Sequence, residues 1–285
     1  MKFRVETTLR DDRNSYRFHV FRERGRLAAA IRPVPRTKPT LDELYGPHQE
    51  GIRETLTKIA QLPRGLVVVT GPTASGRTTT CYAMMEIINR TQARRIVVLE
   101  EHLSYDFDSK KSLVTQRNVG DDVPSYEQGA FWAFHEDLDI IYISELRTVE
   151  SVQYALALAE TGHLVFVTLH VPTVSEAITR LIDVFPGPRE TMQRTLARAL
   201  TAVIAQQLVP RDDKPGRIAI NEVLLMTPQI RELIETEQTD FTAEIKSSRE
   251  AGMMTMDDAL TAACAAGLIT EETTRSRLTD PSRLL

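Results

Sequence analysis

Residues 66–80, LVVVTGPTASGRTTT, constrain the fold more than any other stretch of the chain. Leu66, Val67, Val68 and Val69 are a continuous aliphatic run, the pattern of a strand buried on both faces. Small residues follow, and then an apolar run of helical period from Cys81 to Ile88. Strand, small-residue loop and helix together are the context of a phosphate-binding loop. The loop's N–H groups and the positive end of the helix can surround a polyphosphate. Gly71, Pro72, Thr73, Ala74, Ser75, Gly76, Arg77, Thr78 and Thr79 are the candidate nucleotide-binding residues. Thr78 stands where a hydroxyl holds Mg²⁺. One residue departs from the pattern G-x-x-x-x-G-K-[ST], because Arg77 replaces lysine. Its guanidinium is longer and planar, and is expected not to curl into the loop as an ammonium does.

Further along, Arg95–Leu99 reads as a second buried strand and ends in the acid pair Glu100 and Glu101. Acids at that position lie where an open α/β sheet binds its ligand. Residues 139–145, DIIYISE, form another apolar strand ending in an acid, Glu145. An acid so placed can order Mg²⁺ or polarise an attacking water. Arg147 follows. A third apolar run, 164–168, is flanked by His163 and His170, both expected on the ligand side.

Around this centre, residues 1–32 alternate as three antiparallel strands rich in arginine. Those arginines either coat a solvated sheet or reach a phosphate on a neighbouring subunit. Residues 33–46 carry three prolines and read as an extended linker. His48–Gln61, Ser125–His135, Val149–Glu160 and Val174–Val184 read as helices, with Trp132 in the core or in a subunit contact. Arg189–Leu208 reads as one long amphipathic helix, before a strand at Arg217–Met226 and a small helical tail. The expected class is therefore α/β. A β segment occupies 1–32, a linker 33–46 and a nucleotide-binding domain 47–285, of which 187–285 is mainly helical.

A net charge of −4 argues against a general nucleic-acid or membrane-surface binder. No apolar stretch has the length of a membrane span, and the first residues lack the apolar core of a secretory signal. Two distant cysteines suggest neither a disulfide framework nor a metal cluster, so a reducing cytoplasm is expected.

Taken in order, these strings resemble the type II/type IV secretion ATPase superfamily, and most of all the PilT-like pilus retraction ATPases. The carrying strings are residues 63–80, SKKSLVTQRNVGDD (109–122), EDLDIIYISELR (136–147), AETGHLVFVTLH (159–170), RLIDVFP (180–186) and NEVLLMTPQIRELI (221–234). The resemblance implies a RecA-like core after a PAS-like N-terminal domain, of which only the last part is present. It also implies hexameric rings, of this chain alone or mixed with a paralogous ATPase, and Mg-ATP as the fuel. It places the chain in the cytoplasm, reaching the inner membrane through a platform protein. Glu145 becomes the Walker B acid, Glu100 and Glu101 the acid box, His163 and His170 the His box, and Arg147 the arginine after Walker B. Departures gather at these positions: Arg77 for lysine, Ala74 for glycine, Ser144 for glycine, His135 for arginine, and an acid box that ends in Ser104 instead of a carboxylate. Two roles follow. One is a motor that hydrolyses ATP slowly; the other is a non-catalytic subunit that binds nucleotide and partners an active paralogue.

Overall fold

The computed structural model describes residues 5–10, 15–34 and 37–279. Strands β1 (Val5–Arg10), β2 (Ser15–Glu23) and β3 (Arg26–Val34) form an antiparallel sheet. The expected turn at 11–14 lies outside the described residues. At the other turn, Arg24 and Gly25 both take positive φ. Arg22, Arg24, Arg26 and Arg32 are exposed. Arg17 instead reaches back to this chain's own body, where its guanidinium donates to the His102 carbonyl at 3.3 Å.

The proline-rich stretch is not a free tether. Helix α1 (Leu41–Leu44) opens with a capping box between Thr40 and Glu43. Tyr45 is fully buried, and Lys38 lies 4.0 Å from the buried Glu86. Burying Leu41 and Tyr45 outweighs the extended bias of the prolines and docks the segment.

A short 3-10 turn leads into α2 (Glu50–Ala60). Then follow β4 (Gly65–Thr70), α3 (Arg77–Thr91), β5 (Arg95–Glu100), β6 (Leu113–Asn118), α4 (Tyr126–Phe134), β7 (Ile140–Ile143), α5 (Val149–Glu160) and β8 (Leu164–Thr168). After these come α6 (Val174–Asp183), α7 (Arg189–Ala199), β9 (Leu200–Pro210) and β10 (Arg217–Leu225). Four short helices close the described chain: α8 (Pro228–Glu235), α9 (Thr242–Ser247), α10 (Met256–Ala265) and α11 (Glu271–Arg275).

The main sheet has seven strands in the order β10-β9-β4-β8-β7-β5-β6, with β10 antiparallel to its neighbour. Its pleat sends alternate side chains to two cores. Leu66 and Val68 join the core beneath α4 to α8, while Val67 and Val69 join the core beneath α1 to α3. Both faces being covered, β4 is buried along its whole length, as its aliphatic run requires.

One expectation fails in the last third. The long helix expected over 189–208 ends at Ala199, and Leu200 begins β9 without a loop. Thr201, Val203, Ile204 and Val209 are β-branched and favour a strand, and Val67, Val68 and Val69 of β4 pair with Ala202, Val203 and Ile204. Residues 187–279 therefore supply two strands of the central sheet, β9 where a helix is expected and β10 where a strand is expected, with helices making up most of the rest. Trp132 is 39% exposed on α4, so it is not a core residue.

Candidate active site

Parallel strands β4, β5, β7 and β8 deliver their C-terminal ends to one edge of the sheet. Gly71 leaves β4 with φ +144°, a conformation strained for any other residue, and a Cβ there would lie 2.1 Å from the Gln206 carbonyl oxygen. Pro72, Thr73 and Ala74 form the exposed crest of the loop, and Ser75 turns inward. Ala74 holds φ +65° without the freedom of glycine. Gly76, at φ +88°, starts α3 with no side-chain cap and no acid in the first turn. A 15-residue helix thus points a bare, positive N-terminus into the loop. The Ser75 hydroxyl, buried inside the loop, has no hydrogen-bond partner. These features fit a polyphosphate held by backbone N–H groups. Thr78 is half-buried in the first turn of α3, and Thr79 lies 3.2 Å from the Tyr105 hydroxyl.

Arg77 corrects an expectation. Its guanidinium does curl back, donating to the Gly71 carbonyl of the loop. Being longer than lysine, it also reaches past the loop to the Leu169 carbonyl and to His170, 2.9 Å from Nδ1. The side chain is buried, and that burial lowers its pKa.

Beyond Arg77 a chain of contacts crosses the sheet edge. Burial and the Arg77 charge lower the pKa of His170, which favours its neutral form. A guanidinium only donates, so we assign the nearer Nδ1, at 2.9 Å against 3.3 Å for Nε2, as its acceptor and the ring proton to Nε2. Nε2 lies 3.4 Å from Glu145 Oε1. Arg147 donates to Glu145 Oε2 at 2.6 Å and to Glu101 Oε1 at 2.6 Å. Partial burial pushes Glu145 upward, but Arg147, His170 and Arg77 outweigh it and hold the carboxyl below the usual range. Glu145 is therefore ionised at neutral pH, two residues beyond β7.

Glu100 behaves differently. It is 3% exposed and accepts from the Tyr82 hydroxyl, from Ser104 N at 3.0 Å and from Ser104 Oγ at 3.1 Å. Burial raises its pKa against those hydrogen bonds. The serine in the last acid-box position thus closes over the first glutamate. Ser144 is accommodated as well, its hydroxyl 2.7 Å from that of Tyr126.

His163 is not part of the cluster. It precedes β8 and so lies at the N-terminal edge, opposite the loop, where Nδ1 is 3.0 Å from the Leu158 carbonyl. Its placement on the ligand side is wrong because a residue that starts a parallel strand faces away from the strand ends.

The arrangement has counterparts among known proteins. The profile of the family described as Type II/IV secretion system protein matches residues 25–275. The chain belongs to this family. It is 39% identical over 264 residues to a twitching motility protein of Neisseria gonorrhoeae, covering 92% of this chain and 69% of that protein. It is 37% identical over 268 residues to the type IV pilus retraction ATPase PilT of Pseudomonas aeruginosa, covering 93% of this chain and 76% of that one. A crystal structure of the pilus retraction motor PilT with bound ADP superposes with a TM-score of 0.89 at 34% identity, over 99% of this chain and 79% of that chain. The fold expected of the family, an α/β ATPase core with a small antiparallel sheet, is the fold observed.

Sequence reasoning missed the residues that support the loop from behind. Gln206 and Asn221 are buried polar residues inside apolar strands, and Tyr45 is buried in the proline-rich stretch. A glutamine inside an otherwise aliphatic strand was the available signal, because a buried amide needs partners.

Proposed function

We propose that this chain is an ATP-binding motor subunit of a type IV pilus or type II secretion machine, coupling hydrolysis to pilus retraction or substrate transport. The observation that carries it is the bare N-terminus of α3, wrapped by residues 71–76 and shared by one sheet edge with the ionised Glu145. Family membership supports the same reading. The loop N–H groups would take the phosphates of ATP. A cavity of about 450 Å³ beside the loop, lined by Thr79, Leu208, Arg211 and Arg217, has room for the nucleoside. The Thr78 hydroxyl and the Glu145 carboxylate suit Mg²⁺, which keeps most of its waters and needs few protein ligands. When bound, Mg²⁺ would neutralise charge on the phosphates. Glu145 would orient the attacking water, with Arg147 and His170 fixing its two oxygens.

Among the described residues no helix is long and apolar enough to cross a membrane. We place the chain in the cytoplasm, attached to an inner-membrane platform protein, as a hexamer or a mixed ring. Two exposed apolar faces support ring assembly: Leu27 and Ile31 on the small sheet, and Phe131, Trp132 and Phe134 on α4. We take the small sheet as part of a PAS-like domain.

A second role, nucleotide binding without turnover, is favoured by Arg77 and Glu100. The Arg77 guanidinium is bonded to two carbonyls, and Glu100 is closed off by Tyr82 and Ser104. Turnover and Mg-ATP binding, measured together, separate the roles. For the motor, hydrolysis is slow and Glu145→Gln removes it by roughly a hundredfold or more. Arg77→Lys then raises the rate by about tenfold or more. Binding without turnover in both the wild type and Arg77→Lys establishes the second role.

A further inference from the structure

We propose that Gln206 is the positioning residue of the phosphate loop, and that Tyr45 ties the segment 40–46 to the same amide. This rests on the nucleotide-binding role of the loop. Gln206 lies on β9, beside β4, and is 2% exposed. Its Nε2 donates to the Ser75 carbonyl at 2.7 Å. Its Oε1 accepts from Thr80 Oγ1 at 2.8 Å, Asn221 Nδ2 at 3.0 Å and Tyr45 Oη at 3.2 Å. The loop, the first turn of α3, β10 and the segment after α1 therefore converge on one side chain. Contact extends to both ends of the loop. A Cβ on Gly76 would lie 2.8 Å from Gln206 Nε2, and one on Gly71 would lie 2.1 Å from the Gln206 carbonyl oxygen.

The consequence follows from peptide planarity. In a trans peptide the C=O and the next N–H point in opposite directions. Holding the Ser75 carbonyl toward β9 therefore aims the Gly76 N–H away from β9, at the start of α3. That N–H is one of the donors a phosphate would meet. Without the Nε2 donor, a buried carbonyl loses its partner and the peptide is free to flip, which would present an oxygen to the phosphate. Tyr45 keeps its proton throughout the physiological range, since burial pushes its pKa up to about 12. Glu43 and Leu44, just before it, line the nucleoside cavity. Segment 40–46 thus meets the phosphate side and the nucleoside side of the site.

Gln206→Glu tests this because it keeps the acceptor oxygen and exchanges the amide donor to Ser75 for a carboxyl oxygen, and Gln206→Met removes the donor without adding charge. ADP and adenosine are titrated against wild type and variant, and amide exchange is followed in the nucleotide-free chain. The expected result is ADP affinity weakened about tenfold or more with adenosine affinity within about twofold, since only the phosphate contacts change. Exchange at residues 74–77 accelerates while Val67–Val69 stay protected. Tyr45→Phe leaves ADP affinity within about threefold and accelerates exchange at 40–46. Gln206→Met, of similar length and without donor or charge, is put through the same comparison with the same expectation, and a loss seen in Gln206→Glu alone is a charge effect that overturns the inference. Equal losses for ADP and adenosine, or no loss with unchanged loop exchange, overturn the inference while the nucleotide reading stands. A wild-type chain that binds no ADP overturns both.

Discussion

Strands β4 and β5 end at the same edge of the same sheet, and their ends do opposite things. The end of β4 is open. Its backbone turns through two positive-φ glycines, its helix is uncapped, and the buried Ser75 hydroxyl has no partner. The end of β5 is closed, because the Tyr82 hydroxyl and the Ser104 amide and hydroxyl are already bonded to the Glu100 carboxyl. An open end keeps its hydrogen-bonding capacity for a ligand, whereas a closed end has exchanged that capacity for stability. Glu145, two residues beyond β7, lies between these extremes: ionised, partly exposed and held by Arg147 and His170. The proposed chemistry of the site therefore rests on the loop and Glu145, while the contacts of Glu100 are those of a structural residue.

The largest test of this contrast is Glu100→Ala. It strands the Tyr82 hydroxyl and the Ser104 amide, and should cost about 2–3 kcal/mol in urea unfolding. ADP affinity should stay unchanged; a large loss of affinity would reopen the β5 end as a ligand site. A smaller effect is expected at Ala74, whose φ of +65° is one an L-residue adopts at a cost. Ala74→Gly should raise stability by about 1 kcal/mol, the strain relieved less the added chain entropy. Denaturant midpoints measure it, and a destabilised variant would show that the crest is unstrained.

The smallest effect is in pH dependence. His170 binds its proton less readily in the folded chain than at its ordinary value of 6.5. The unfolded chain then holds more protons just below that value, so stability falls as pH drops through it. Glu145, also lowered, adds the same sign below 4.5. Glu100, raised, acts oppositely: its contribution is full below 4.5 and lost as pH rises through its folded value. His170→Gln should flatten the melting temperature between about pH 5 and 7. An unchanged slope would remove His170 from the contact chain.

The open end was legible in the sequence and the closed end was not. Val67–Val69 and the small residues after them declare strand, loop and helix within fifteen residues. Burial of Glu100 depends on Tyr82, eighteen positions away, and on Ser104 folding back. No local pattern reports such contacts. His163 was misplaced because strand direction decides which flank faces the ligand, and β9 was misread because Gln206 and Gln207 gave an apolar strand helical-looking polar positions. Arg77 was expected to stay outside the loop, yet its extra reach carries it through the loop to Leu169.

The most direct measurement is a calorimetric titration of ADP into three chains: wild type, Ser75→Asp and Glu100→Gln. Ser75→Asp puts a carboxylate among the loop amides, where it competes with the phosphates. One site in wild type, lost in Ser75→Asp and intact in Glu100→Gln, is the result predicted for a ligand held at the open end of β4. Binding that survives Ser75→Asp, or that Glu100→Gln removes, would contradict it.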